Sequence, residues 1–279
     1  MKKISRRSFL AAAGLSVAAL ALTACGGSSA STASSVASSA ASSEAASTSA
    51  AAGELTTVEA GKLTMATNAT FPPYEMTTDA GDIEGIDVET AQAIADKLGL
   101  ELQIDDMDFD AALLSVQQGK ADIAMAGVTV TDERKAVMDF SDSYATGIQS
   151  IIVPEGSDIA SPDDLAGKKI GTQRGTTGYI YCTDDFGEDA VVAYDSGLTA
   201  VQALNNGQVD AVVIDNAPAQ EFVAANPGLV ILDTSYAEED YAIGMAKGSS
   251  LEDAVNAALE ELKADGTLQS IVDKYITAE

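Results

Sequence analysis

Strand and helix signals alternate from Lys62 to Tyr275, and that alternation restricts the chain to one class of fold. Lys62-Leu-Thr-Met-Ala-Thr67 reads as a strand. Val88, Ala91, Ile94, Ala95 and Leu98 then recur at helical spacing and stop at Gly99. Glu101-Leu-Gln-Ile104 is the next strand; Phe109, Leu113, Val116 and Gln117 trace a helix ending at Gly119, and Asp122 to Ala126 returns to strand. Repeated strand–helix–strand units bury their apolar faces by laying helices over parallel or mixed sheets, so an α/β fold is predicted.

The second half continues the pattern. Ser161-Pro-Asp-Asp-Leu165 has the chemistry of a capped short helix, with Pro162 in its first turn, and a strand follows near Ile170. Leu198, Val201, Gln202 and Leu204 form a helix, and Tyr241-Ala-Ile-Gly-Met-Ala246 reads as a strand. Leu251, Val255, Leu259 and Leu262 give a helix closed by Gly266, and Leu268, Ile271, Val272 and Tyr275 another. A weak internal repeat aligns Val116-Gln-Gln-Gly-Lys-Ala-Asp-Ile-Ala-Met-Ala-Gly127 with Leu204-Asn-Asn-Gly-Gln-Val-Asp-Ala-Val-Val-Ile-Asp215. Chance would also produce it, because helix–Gly–strand joins are common, but it is what two similar α/β lobes would produce. From Leu55 onward the chain has about 225 residues, enough for two lobes of roughly 100 each.

Ahead of this part lie basic Met1-Lys-Lys-Ile-Ser-Arg-Arg7, apolar Phe9 to Leu22, and Leu22-Thr-Ala-Cys25. The stretch is too short for a spanning helix and reads as an export signal. Leu-Thr-Ala-Cys resembles a bacterial lipobox, with Cys25 as the lipidated residue, and Ser5-Arg-Arg-Ser-Phe-Leu10 is compatible with twin-arginine or Sec export. Residues 26–54, mostly Ser, Ala, Gly and Thr, read as a tether spanning roughly 30 Å. The expected location is the cell membrane, lipid-anchored on the extracytoplasmic face.

The formal charge of −28 opposes nucleic-acid binding. The absence of histidine removes imidazole catalysis and ligation. Cys182 stands alone after Cys25 and reads as a small buried hydrophobe. Beyond the export signal only two arginines remain, Arg134 and Arg174, each just past a predicted strand. A guanidinium binds a carboxylate through two parallel hydrogen bonds, so either is a candidate anion anchor, although most arginines simply face solvent.

In open α/β sheets, ligands collect outside the carboxyl ends of strands. Four such ends carry suitable side chains: Asn68-Ala-Thr-Phe-Pro-Pro-Tyr74, Ala126-Gly-Val-Thr129 leading to Arg134, Arg174-Gly-Thr-Thr177, and Asp215-Asn-Ala-Pro218. They offer an arginine and hydroxyls for a carboxylate, an aspartate for an ammonium, and aromatic faces at Phe71, Tyr74 and Phe109. That set complements a zwitterion. Asp215 reads equally as a helix N-cap, and Phe71 and Phe109 as core residues.

Several motifs, in this order, resemble those of type 2 periplasmic-type solute-binding proteins that serve amino-acid ABC importers. They are Thr67-Asn-Ala-Thr-Phe-Pro-Pro-Tyr-Glu75, Gly85-Ile-Asp-Val-Glu89, Met107-Asp-Phe109, Ala126-Gly-Val-Thr-Val-Thr-Asp-Glu-Arg134, Asp139-Phe-Ser-Asp-Ser-Tyr144 and Asp163-Asp-Leu-Ala-Gly-Lys168. The resemblance covers about residues 57 to 277. It implies a two-lobe periplasmic binding protein-like II fold with a two-strand hinge, lobe 1 formed by 55–147 and 240–279 and lobe 2 by 148–239. It implies a monomer without cofactor or metal that delivers a free, polar amino acid to ABC permease subunits. Arg134 would hold the ligand carboxylate with Thr129, Thr176 and Thr177. Asp215 and the Gly127 carbonyl would hold the ammonium, and Phe71 and Phe109 would sandwich the side chain. Asn68 stands where relatives that bind basic or amide side chains often carry aspartate, which counts against a dibasic ligand.

Competing readings are weaker. Gly175-Thr-Thr-Gly178 lacks the lysine and spacing of a P-loop, and Asp106-Met-Asp-Phe-Asp110 lacks the glycine and glutamate of a calcium loop. A dehydratase-type enzyme on the same fold would need a general acid such as Glu75 or Glu133 with a raised pKa. A ligand-sensing subunit for a receptor is a third reading.

Overall fold

The computed structural model describes residues 55–276. The predicted export signal, tether and Cys25 lie outside them, as do the last three residues. The first sheet has the order Glu101–Asp106, Lys62–Thr67, Ile123–Ala124, Gly244–Ala246, Met138–Phe140. Its first three strands are parallel, and Gly244–Ala246 runs antiparallel to both its neighbours. The second sheet is ordered Val191–Tyr194, Ile170–Gln173, Ala211–Asp215, Ala145–Pro154, Leu229–Ile231, with Ala237–Tyr241 also paired to Ala145–Pro154. Again three strands are parallel and the rest antiparallel. Both sheets are therefore mixed.

Helices cover both faces of each sheet, as the apolar spacing requires. Helix Ile86–Leu98 buries Ile94 and Ala95 with Leu259 and Leu262 of helix Glu252–Ala264. Helix Phe109–Gln117 buries Phe109, Ala112 and Val116 against Ala66, Ala124 and Met138. On the second sheet, Val201 and Leu204 pack with Ile214 and Phe222, while Cys182 packs with Ile151, Ile170 and Val213. Cys182 is fully buried and its thiol is pushed up to about 12, chiefly by burial, which suits a packing residue. Each such core side chain contributes roughly 1.5–3 kcal/mol by leaving water.

The internal repeat has a structural basis. Asp122, ahead of Ile123–Ala124, accepts from the backbone N–H of Thr64 at 2.8 Å and of Val58 at 2.7 Å. Asp210, its counterpart ahead of Ala211–Asp215, accepts from Lys169 N–H at 2.7 Å. In both halves an aspartate after the helix-ending glycine binds backbone N–H at the start of, or just before, the neighbouring parallel strand.

Two strand predictions need correction. The strand predicted from Asp122 to Ala126 spans only Ile123–Ala124, because the backbone then turns at Gly127, whose φ is +54°. The single strand predicted at Tyr241–Ala246 is two, Ala237–Tyr241 and Gly244–Ala246, in different sheets. The chain passes from the second sheet to the first between them, as it passes the other way between Phe140 and Ala145.

Candidate ligand-binding site

The carboxyl ends of Lys62–Thr67 and Ile123–Ala124 face the helix that follows Ile170–Gln173 and the end of Ala211–Asp215. Between them is a tightly closed pocket lined by Asn68, Phe71, Phe109, Gly127, Thr129, Arg134, Thr176, Thr177 and Asp215, together with Glu75, Ala126 and Gln173. All nine predicted residues thus meet in one place. The cleft is closed. Gln173 donates to Asn68 Oδ1 at 2.9 Å, and Arg134 donates to the Gly175 carbonyl at 3.1 Å.

Arg134 is brought inward by local capping. Thr131 accepts from the Arg134 N–H at 3.1 Å and starts helix Asp132–Val137. The side chain is 8 % exposed, stacks over Phe109 at 5.3 Å, and donates to the Thr129 carbonyl at 2.7 Å. None of the ion pairs among the described residues involves it. Burial lowers its pKa while the field of Glu239 opposes that shift. A guanidinium carries five N–H donors, so a buried one bonded to two carbonyls retains donors for an anion. Arg174, by contrast, is exposed, reaching only the Ala193 carbonyl at 3.4 Å and Asp195 at 3.9 Å. It lies outside the pocket lining.

Asp215 precedes helix Asn216–Ala225 but its side chain makes no capping bond. It accepts instead from Tyr241 Oη and from Gln149 Nε2, the latter at 2.8 Å. Burial raises its pKa to about 7 despite those two bonds. A carboxyl poised in this way gains from a cation brought beside it.

Thr176 caps helix Thr177–Phe186 by accepting from Tyr179 N–H at 3.4 Å, and its own proton goes to the Gln173 carbonyl at 2.9 Å. The Thr176 hydroxyl is therefore committed to the fold. Thr177 N–H, in the first turn, has no intrahelical acceptor. The Thr129 and Thr177 hydroxyls donate to Glu239 Oε2 at 3.1 and 3.0 Å. Asn68 has little free valence: it donates to the Met107 carbonyl at 2.9 Å and accepts from Thr70 as well as Gln173.

Beneath Gly127 lies a second polar group. Asp87 accepts from Gly127 N–H at 3.0 Å and from Tyr144 Oη at 2.7 Å, which fixes the direction of the Gly127 carbonyl. Burial raises Asp87 to about 6 and, with the adjacent Asp87 charge, holds Glu75 well above the usual range. A Cβ on Gly127 would meet Phe71 at 2.7 Å in a left-handed backbone. Gly127→Ala is expected to weaken ligand binding roughly tenfold or more through strain and a displaced Phe71, measured by calorimetric titration.

Glu239, Gln149 and Gln173 escaped the sequence reading. Gln149 is a polar residue inside the apolar run Gly147-Ile-Gln-Ser-Ile-Ile-Val153, which is a usable signal. Glu239 sits in the polar run Glu238-Glu-Asp-Tyr241, in which only strand pairing reveals that Glu239 and Tyr241 face inward.

The profile of bacterial extracellular solute-binding proteins, family 3, matches residues 63–278. The L-cystine-binding protein TcyJ of Escherichia coli K12 is 33% identical over 226 residues, covering 79% of this chain and 85% of that protein. The arginine-binding extracellular protein ArtP of Bacillus subtilis 168 is 33% identical over 228 residues, covering 78% and 87%. The structure of an ancestral arginine-binding protein bound to glutamine aligns with a TM-score of 0.75 at 41% identity, covering 78% and 99%. With a match of this extent and a cleft placed at the strand ends, the chain belongs to the bacterial extracellular solute-binding proteins, family 3.

Proposed function

We propose that this protein is the amino-acid-binding subunit of an ABC importer and that its ligand is a polar amino acid ending in a planar hydrogen-bonding group, an amide or a guanidinium. The observation that carries this reading is the buried Arg134, which has no ion-pair partner among the described residues, set across the pocket from Asp215 with its raised pKa. Arg134 and Thr177 N–H take the carboxylate; Asp215 and the Gly127 carbonyl take the ammonium. Phe71 and the face of Phe109 not covered by Arg134 flank the side chain, and the Asn68–Gln173 amide pair lies nearby. ArtP, named for arginine, and the ancestral protein bound to glutamine support this ligand class.

The lobes in this reading are 55–147 with 240–279, and 148–239, joined by the two crossings, and the chain acts as a monomer presenting its closed form to permease subunits. A thermal-shift screen should show arginine or glutamine raising the melting temperature while leucine and alanine do not. Stabilisation by leucine alone would contradict the ligand class. The N-terminal reading adds a lipid anchor on Cys25, holding the protein on the extracytoplasmic face of the cell membrane. Cys25→Ser is expected to release the protein from the membrane fraction, followed by blotting fractions; unchanged retention would contradict the anchor.

Of the two candidate general acids, Glu75 lines the pocket with its carboxyl pushed well above the usual range by burial, whereas Glu133 is exposed and lies outside the pocket lining. The relatives are named as binding proteins, and a prephenate-type substrate is expected to yield no product.

A further inference from the structure

Tyr241 is fully buried at the end of Ala237–Tyr241, where the chain leaves the second sheet for the first. Its carbonyl accepts from Tyr144 N–H at 3.0 Å, which ties the two crossings together at this residue. The ring lies in a slot built around it. A Cβ on Gly147, in Ala145–Pro154, would meet one edge of the ring at 2.5 Å, and one on Gly127 would meet the other edge at 3.4 Å. Tyr74 packs on it in an edge contact, with ring centroids 5.3 Å apart. A ring confined in this way keeps one orientation, and its hydroxyl is aimed at Asp215.

Asp215 receives one donor on each oxygen: Tyr241 Oη on Oδ1 and Gln149 Nε2 on Oδ2, the latter at 2.8 Å. Together they fix the plane of the carboxylate and leave it lone pairs for a further donor. Tyr241 does not line the ligand pocket; it lines a separate cavity on the other side of Asp215, with Tyr74, Gly147 and Asn216. Any effect of its hydroxyl on a ligand therefore passes through Asp215. Burial, helped by the charge of Asp215, holds the Tyr241 phenol well above its usual range, so it stays a donor at neutral pH. The fields of Glu239, on the same strand, and of Glu75 oppose ionisation of Asp215, whereas Arg134 across the pocket favours it. Tyr74, the other titratable group against the ring, is held neutral by burial.

We propose that Tyr241 is a positioning residue: its hydroxyl holds the Asp215 carboxylate ionised and in one orientation for the ligand ammonium, and Gly147 leaves the space its ring needs. The ammonium rests on the amino-acid-binding reading of the pocket, whereas the hold on Asp215 does not. A hydrogen bond to the charged form of a carboxyl favours that form. Tyr241→Phe keeps the ring in its slot and removes only the donor, so Asp215 should keep its proton to higher pH. An incoming ammonium must then displace that proton over a wider range.

The test is a carbon-13 carboxyl titration of the ligand-free full chain, following the resonance that Asp215→Asn removes. Wild-type Asp215 should titrate at about 7, and Tyr241→Phe should move it up by about one pH unit. Tyr144→Phe, which takes a buried hydroxyl from Asp87 instead, should leave it in place. Gly147→Ala should shift it as Tyr241→Phe does, because a displaced ring takes its hydroxyl along. An unchanged or lowered midpoint in Tyr241→Phe, or an equal shift in Tyr144→Phe, would overturn the proposal. If Tyr241→Phe does not fold, the shift in Gly147→Ala or its absence decides. No amino acid is present in this titration, so a wrong ligand class leaves its result intact. In calorimetric titrations with the amino acid chosen by the thermal screen, Tyr241→Phe should raise the midpoint of the pH profile equally and weaken binding about tenfold at pH 6. A shifted carboxyl titration with an unchanged binding profile would overturn the placement of the ammonium at Asp215.

Discussion

Arg134→Ala is expected to weaken binding of the cognate amino acid by roughly two to four orders of magnitude, read by calorimetric titration. The guanidinium is buried, stacked on Phe109 and bonded to two carbonyls, so its removal leaves a ligand carboxylate in a closed cleft without its cation. Breaking a buried ionic contact from one side costs about 3–5 kcal/mol, because the partner charge remains desolvated. Arg134→Lys should recover only part of the loss, since an ammonium cannot bind a carboxylate as a planar fork. Arg174→Ala should change affinity little, given that its side chain is exposed and its nearest acid is 3.9 Å away. Equal losses at the two arginines would refute the distinction drawn between them.

The second large effect concerns Asp215 and is a pH effect as well as a mutational one. Burial raises its pKa to about 7 in the empty closed cleft, so below that pH it holds a proton that an incoming ammonium must displace. Binding should therefore release a proton, and the dissociation constant should rise about tenfold per unit as the pH falls below about 7, levelling above it. Asp215→Asn should weaken binding by roughly two orders of magnitude at pH 8 and flatten that pH profile. For the ligand-free fold the sign is opposite. A raised pKa means that the folded state keeps a proton the unfolded chain has lost, so this group's contribution is full below its ordinary value of 3.8 and is lost as the pH climbs toward about 7. Ligand binding and ligand-free stability should thus move in opposite directions across this window, measured by titration and thermal melts over the same buffers.

Much of this architecture was legible because it depends on short-range periodicity. Helix Ile86–Leu98 with its left-handed Gly99, the capping box at Ser161 and Asp164, and the two C-terminal helices all announce themselves in residue spacing. The candidate site was legible where a charged or hydroxyl residue follows an apolar strand, as Arg134, Thr177 and Asp215 do. What spacing could not show is which polar side chains the two sheets bring together. Thr176 looks identical to Thr177 in sequence, yet one hydroxyl is used up in capping and the other points at Glu239. Ala237-Glu-Glu-Asp-Tyr241 resembles a solvated loop until its pairing with Ala145–Pro154 turns alternate residues inward. Tyr241–Ala246 was misjudged for the same reason, since apolar content does not record the point at which a strand leaves one sheet for another.

The central claim is that Arg134 and Asp215 hold the two ends of one amino acid within a closing cleft. A crystal structure with the tightest-binding amino acid from the screen tests it directly. The account predicts the ligand carboxylate on the Arg134 guanidinium and its ammonium within hydrogen-bond distance of Asp215 and the Gly127 carbonyl. A ligand seated outside this cleft, or one with its carboxylate turned away from Arg134, would contradict it.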